Sequence, residues 1–506
     1  MKDIGKGEER NRYFTRAVKE RAEVHKLIGK FDKGIEDYEN LLSFYIKTDI
    51  EPQKVPDTMV EIAFIYSEGK NDYRKAEELL KKSLKKIDEK KEPEILAHAL
   101  NALGSLYYRR GDYEKTLKYF HRTLKICERI KNKNCIGTLS NNIGLVNIDL
   151  GELDTALEYL KRDLAICEKA GNQRGSGSVS LNIGNVYFFK GEMDTALTYY
   201  KRDLMVSERM GDKKGIGMVS GNIGNVYSIK GELDTALQFY HRYLSIAEEI
   251  GDMRGIGAAS NGIGLICLRK GQFDRALKYY KRDLLICERI GIIRGMATEY
   301  GNIAEIYLRK GDFHSSLKYY RKDLSICEKI GDRRGVGRVF ADLGKVYLQK
   351  ENLRKAEEYF SKSLPILTEV GDRIKLSEVY SHLTGLKIAM KEFDTVVSCA
   401  QKGLDLARET GAKQQQIYAL NALGKALFYE NRDQKSDVGK QKNIKKAVEY
   451  LEDAAHLAEK ENRPLEHAQS LYELSTVLNY LGNTKEAKKL SRQAKRIFRS
   501  LHIPYP

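Results

Sequence analysis

Gly151-Glu-Leu-Asp-Thr-Ala-Leu157 returns as Gly191-Glu-Met-Asp-Thr-Ala-Leu197 and as Gly231-Glu-Leu-Asp-Thr-Ala-Leu237, each copy 40 residues after the last. The pattern then loosens into Gly271-Gln-Phe-Asp-Arg-Ala-Leu277 and Gly311-Asp-Phe-His-Ser-Ser-Leu317. A fixed period of this length marks stacked supersecondary units, each too small to bury its apolar face without neighbours. The 506 residues therefore read as one elongated array rather than as several closed domains.

Within residues 173–210, Ile183, Val186 and Tyr187, then Ala196, Leu197, Tyr200, Leu204 and Val206, recur at spacings of three and four. That periodicity predicts a helix, a turn and a second helix. Gly191, Gly231, Gly271 and Gly311 mark the end of first helices, and Gly171, Gly211, Gly251, Gly331 and Gly371 the end of second ones. Asn172, Asp212, Asp252, Asp332 and Asp372 follow the latter and are expected to cap the next helix, whereas Ile292 after Gly291 cannot.

Carried outward, the frame gives an all-α chain of about twelve helix-turn-helix repeats. Residues 1–92 hold degenerate repeats, 93–410 the central regular ones, and 411–506 terminal repeats with a basic capping helix. The polar insertion 431–442 reads as a mobile loop. With 31% charged residues, 7 prolines and no tryptophan, nothing argues for strands.

Several function classes drop out. No GxxxxGK[ST], HExxH or GxSxG occurs, so no catalytic residue, cofactor or metal is expected. The nine histidines are scattered, with only His121 and His241 at one repeat position. Cys127, Cys167, Cys287 and Cys327 share a position far apart along the array and read as small buried hydrophobes. No apolar run of 18 residues exists, and Met1–Arg10 lacks the core of a secretory signal, so a cytoplasmic protein without a membrane span is expected. The net charge of +17 concentrates in residues 432–446 and in the last helix. In that helix Ala487, Leu490, Ala494 and Ile497 should pack inward while the cations stay solvated.

The motifs Asn182-Ile-Gly-Asn-Val-Tyr187 and Asn222-Ile-Gly-Asn-Val-Tyr227, with the turn glycines Gly191 and Gly231 and the small residues Ala156, Ala196, Ala236, Ala276 and Ala356, resemble the tetratricopeptide repeat family. The 40-residue unit is most similar to the subclass found in Leu-Gly-Asn repeat polarity adaptors and in prokaryotic regulators. The resemblance implies a right-handed α-solenoid whose first helices line a concave groove. One departure stands out: Asp163, Asp203, Asp283 and Asp323 replace a small residue late in the second helix. Each is expected to meet an Arg, a Lys or a helix amino end, because a bare buried carboxylate is costly.

The family's groove positions fall on Asn142, Asn182, Asn185, Asn222, Asn225 and Asn302, a ladder of amides suited to an extended peptide backbone. Arg269, Arg309, Arg338 and Lys345, with Glu305 and Asp342 among them, fall on the wall of the other half and suit an acidic segment. The reading is thus a non-enzymatic, monomeric scaffold with a protein or peptide partner. Two alternatives are a nucleic-acid-associated regulator using the basic end, which the near-neutral central repeats disfavour, and a sensory module of a signalling enzyme encoded elsewhere.

Overall fold

A computed structural model describes residues 2–432 and 438–501, and these hold twenty-four α-helices, one short 3-10 helix and no strand. By packing, the chain falls into two units, Met1–Asp212 and Lys213–Pro506. The first contains α1 (Lys2–Leu27), α2 (Phe31–Thr48), α3 (Lys54–Glu68), α4 (Tyr73–Leu84), α5 (Pro93–Arg109), α6 (Tyr113–Arg129), α7 (Lys133–Leu150), α8 (Leu153–Lys169), α9 (Gln173–Phe189) and α10 (Met193–Met210). The second begins with α11 (Lys213–Ile229), α12 (Leu233–Ile250), α13 (Met253–Arg269), α14 (Phe273–Ile290), α15 (Ile293–Arg309), α16 (Phe313–Lys329) and α17 (Arg333–Gln349). It continues through α18 (Leu353–Glu369), α19 (Arg373–Met390), α20 (Val396–Glu409), α21 (Lys413–Arg432), α22 (Val438–Lys460), α23 (Pro464–Tyr480) and α24 (Thr484–Ser500). The helices pair in sequence, giving twelve helix-turn-helix repeats.

The repeat is built around a close approach. Gly184 of α9 sits where any Cβ would lie 2.6 Å from the Tyr200 ring of α10, so only glycine lets the two helices pack this tightly. The neighbouring rings of Tyr187 and Tyr199 stack at 5.6 Å, as Tyr307 does on Tyr319 and Tyr347 on Tyr359. Such pairs contribute about 0.5–1.5 kcal/mol beyond the area they bury. Asn172 and Asp332 cap α9 and α17 through bonds of 2.9 Å from the Gly175 and Gly335 amides, and Asp372 caps α19. Asp252 makes no such bond, and neither does Ile292, so α13 and α15 start without a side-chain cap.

The interface carboxylates do not find cations among the described residues. Arg162, Arg202 and Arg282, which precede three of them, reach back to Glu128, Glu168 and Glu248 of the preceding repeat, each at 2.5 Å. Asp163, Asp203, Asp283 and Asp323 instead press on glycines of the facing first helix. A Cβ at Gly137, Gly177, Gly257 or Gly301 would meet them at 2.5–3.0 Å, so glycine is what lets the carboxylates come this close to the facing helix. The thiols of Cys167, Cys287 and Cys327 lie 3.6, 3.6 and 3.3 Å from the carboxylates of Asp163, Asp283 and Asp323. Burial pushes Asp163 and Asp203 up to about 6 and Asp323 to about 7.

Cys127 departs from the expected free thiol, being joined to Cys135 of α7 with Cα atoms 5.8 Å apart. The repeat geometry explains it. Gly175, Gly295 and Gly335 occupy the place of Cys135 one, four and five repeats later, and a Cβ there would lie 2.6–2.8 Å from the sulfur of Cys167, Cys287 or Cys327. Only where that place carries a cysteine does the contact become a bond.

Of the expected loop 431–442, residues 433–437 lie outside the described residues. Asn431 and Arg432 finish α21 and α22 starts at Val438, so the remainder is helical. In α24, Ala487, Ala494 and Phe498 are buried, Leu490 and Ile497 are half-buried against the core, and all seven Lys and Arg residues are exposed.

Repeats of the second unit also touch beyond their immediate neighbours, against the expectation for an open array. Asn462, held left-handed at φ 49° between α22 and α23, donates through Nδ2 to the Gly231 carbonyl at 3.1 Å. The Leu501 carbonyl lies 2.7 Å from where a Cβ on Gly271 would stand, and Gly271 has φ +71°. Gly271→Ala is therefore expected to lower the unfolding free energy by about 2 kcal/mol more than Gly251→Ala, since an L side chain is equally strained at both but meets nothing within 4 Å at Gly251. Denaturant midpoints of the two variants, compared at equal slope, check this.

Candidate functional site

A cavity of about 950 Å³ opens among the first helices of the last repeats, α15, α17, α19, α21 and α23. Helical spacings of three, four and seven put its polar residues on single faces: Asn302, Glu305 and Arg309 on α15, then Arg338, Asp342 and Lys345 on α17. Lys375, Glu378 and His382 follow on α19, Gln414, Tyr418, Asn421 and Lys425 on α21, and Gln469 and Glu473 on α23.

The wall carries its own counterions. Glu305 accepts from Arg309 at 2.8 Å and from Lys345 at 3.1 Å. Burial opposes its ionisation, but these two cations outweigh that and hold the carboxyl down at about 2. Lys375 bridges Asp342 at 2.7 Å and Glu378 at 3.0 Å. Burial, with Glu378 close by, leaves Asp342 raised, while Lys375 and His382 overcome burial to keep Glu378 well below the usual carboxylate range. Lys425 meets Glu473 at 2.6 Å, and Arg338 donates to Asp372 at 2.6 Å. The amides are less fully used. Asn421 donates to Ser470 at 2.9 Å, but its Oδ1 is buried without a partner. Asn302 makes a single long bond, 3.3 Å, to Glu299.

Asn302, Arg309, Arg338 and Lys345 thus stand together on this cavity. Arg269 does not line it; its guanidinium donates to the carbonyl and hydroxyl of Ser228. Asn142 lines a separate cavity of about 510 Å³ in the first unit, with Asn101 and Phe64. Asn182 donates to Asn141 at 2.9 Å, Asn185 accepts from the Tyr200 hydroxyl at 2.8 Å, and Asn225 accepts from Tyr240 at 2.6 Å. Asn222 is half-buried on the same helix as Asn225. Two of the central amides, Asn185 and Asn225, therefore brace their own repeats, and Asn182 ties α9 to α7 of the preceding repeat. The residues of α19, α21 and α23 escaped sequence reasoning, although Lys375, Glu378 and His382 at i, i+3 and i+7, flanking the apolar stripe of Leu376, Val379 and Leu386, form a readable polar stripe.

The tetratricopeptide repeat model matches residues 95–169, 135–204, 215–289 and 295–369, together more than half of the chain. The chain belongs to the tetratricopeptide repeat family. As a tetratricopeptide array it is a protein-interaction scaffold. Among solved structures it is similar to the apo form of RapI, at 12% identity over 71% of this chain and 98% of that one, with a TM-score of 0.53. The apo quorum sensor NprR from B. thuringiensis gives 16% identity, 70% and 98% coverage and a TM-score of 0.51. A Rap protein in complex with competence and sporulation factor gives 15%, 81%, 99% and 0.48. At these identities the likeness to RapI and NprR is one of fold alone. No curated protein sequence matches the chain. No helix among the described residues is long and apolar enough to cross a membrane.

Proposed function

We propose that this tetratricopeptide array is a non-enzymatic adaptor that takes an extended segment of a protein partner into the cavity of its second unit. What supports the reading most is the unpartnered Oδ1 of Asn421, buried at a cavity whose carboxylates Glu305, Asp342 and Glu378 are already paired with cations of the wall. A peptide N–H supplies the missing donor, and Asn302 offers further amide positions across the same space. The volume lies at the upper end of that of ordinary ligand pockets. Arg294 and Arg334, exposed on the cavity lining beside Arg338, suit an acidic residue in the segment. With the partner confined to this unit, the solvated cations of α24 keep a capping role.

The test is the double variant Asn302→Ala/Asn421→Ala. Each lost backbone hydrogen bond is worth about 0.5–1.5 kcal/mol, so affinity for the partner segment should fall on the order of tenfold by calorimetry while helicity is retained. An unchanged Kd in a folded variant would place the partner elsewhere.

A further inference from the structure

The contact between the two ends of the second unit, where the α22–α23 turn meets the end of α11, gathers more positive charge than it neutralises. Arg269 closes α13 with its guanidinium on Ser228 and no carboxylate within ion-pair distance among the described residues. Arg463, next to the bridging Asn462, reaches Glu466 only at 3.9 Å, and its Nε is buried without a partner. Glu466, 7% exposed, is already shared: its Oε1 accepts from Gln414 and Tyr418, each at 3.1 Å. Burial, followed by the charge of Arg463, lowers the pKa of Arg269, so the two guanidinium groups act on one another, with Glu466 in partial opposition. Two half-buried guanidiniums against one shared carboxylate is an arrangement that an added anion would relieve.

We propose that the seam between Arg269 and Arg463 binds a compact oxyanion, a carboxylate or a phosphate group, and that the bound anion fastens α23 to α13. The planar forks of the two arginines suit two oxygens of one such group. The unpartnered Nε of Arg463 is the donor it would satisfy first. Because Asn462 and Gly231 already touch, the anion strengthens an existing closure. Neither arginine lines the cavity, although Glu466 is held by its Gln414 and Tyr418, and the test of this site does not depend on a peptide partner.

The experiment is thermal unfolding of the full chain titrated with inorganic phosphate or with acetate, each against chloride at equal ionic strength. The wild type is expected to show a saturable rise in melting temperature. Arg463→Gln should raise the half-saturating concentration at least tenfold, and Arg492→Gln, on the exposed face of α24, should leave it unchanged. A response to both anions identifies a carboxylate-competent site, to which a partner's acidic group has access; a response to phosphate alone identifies a free-phosphate site. Arg269→Gln supplies a second arm should Arg463→Gln fail to fold. The proposal is overturned if neither anion stabilises the wild type beyond chloride, or if the folded seam variants keep the full response.

Discussion

At pH 8 the variant Asp163→Asn/Asp203→Asn is expected to be more stable than the wild type, by about 1–3 kcal/mol per site. Both carboxyls are 6% exposed, lack a basic partner among the described residues and are raised to about 6. A carboxyl raised in the folded state binds its proton more tightly there than in the unfolded chain, where it titrates near the ordinary aspartate value. Its favourable contribution is complete below about pH 4 and is lost as pH rises through 6. Above that, a buried charge sits against Gly137 or Gly177 without a basic partner among the described residues. Asparagine keeps an acceptor and removes the charge. The advantage of the variant should therefore shrink as pH falls through 6 and close near pH 4. Urea midpoints at several pH values check this, and an equal pH slope in the two proteins would contradict it.

Lys375→Met should have the opposite effect on the second unit, costing about 3 kcal/mol at neutral pH. Lys375 is 14% exposed and is the ammonium shared by Asp342 and Glu378. Methionine preserves much of the stem and removes the charge, leaving two carboxylates facing each other with Lys345 as the remaining nearby cation. The cost is set at the low end for a broken buried pair because the cavity admits water. Adding Asp342→Asn to Lys375→Met should recover a large part of the loss, since it removes the charge left without a partner. Melting of the single and the double variant beside the wild type, followed by helicity, measures both steps.

The fold is legible because its determinants repeat. Gly191, Ala196 and Tyr200 recur in equivalent places, so each helix boundary can be read several times over. The interface carboxylates mislead for a geometric reason: the sequence shows Arg162 and Lys161 beside Asp163, but not that Arg162 turns back to Glu128. Repeat position alone also reaches Arg309 and Lys345 without revealing that one carboxylate, Glu305, occupies both. The cavity itself is only half visible. Asn302 and Arg338 lie in the regular register, whereas Tyr418, Asn421 and Glu473 come from the repeats around the 431–442 insertion, whose inner face depends on how the last helices pack. The end-to-end contact of Asn462 with Gly231 spans 231 residues and has no local signature.

Whether a partner segment lies in the cavity of the second unit can be read by photo-crosslinking from a benzoylphenylalanine placed at Gln469, which lines it, compared with one at the exposed Lys278 of α14. Capture of the partner from position 469 alone is expected, with the crosslinked peptide mapping to one contiguous segment. Capture from position 278 with none from 469 would contradict binding in the cavity.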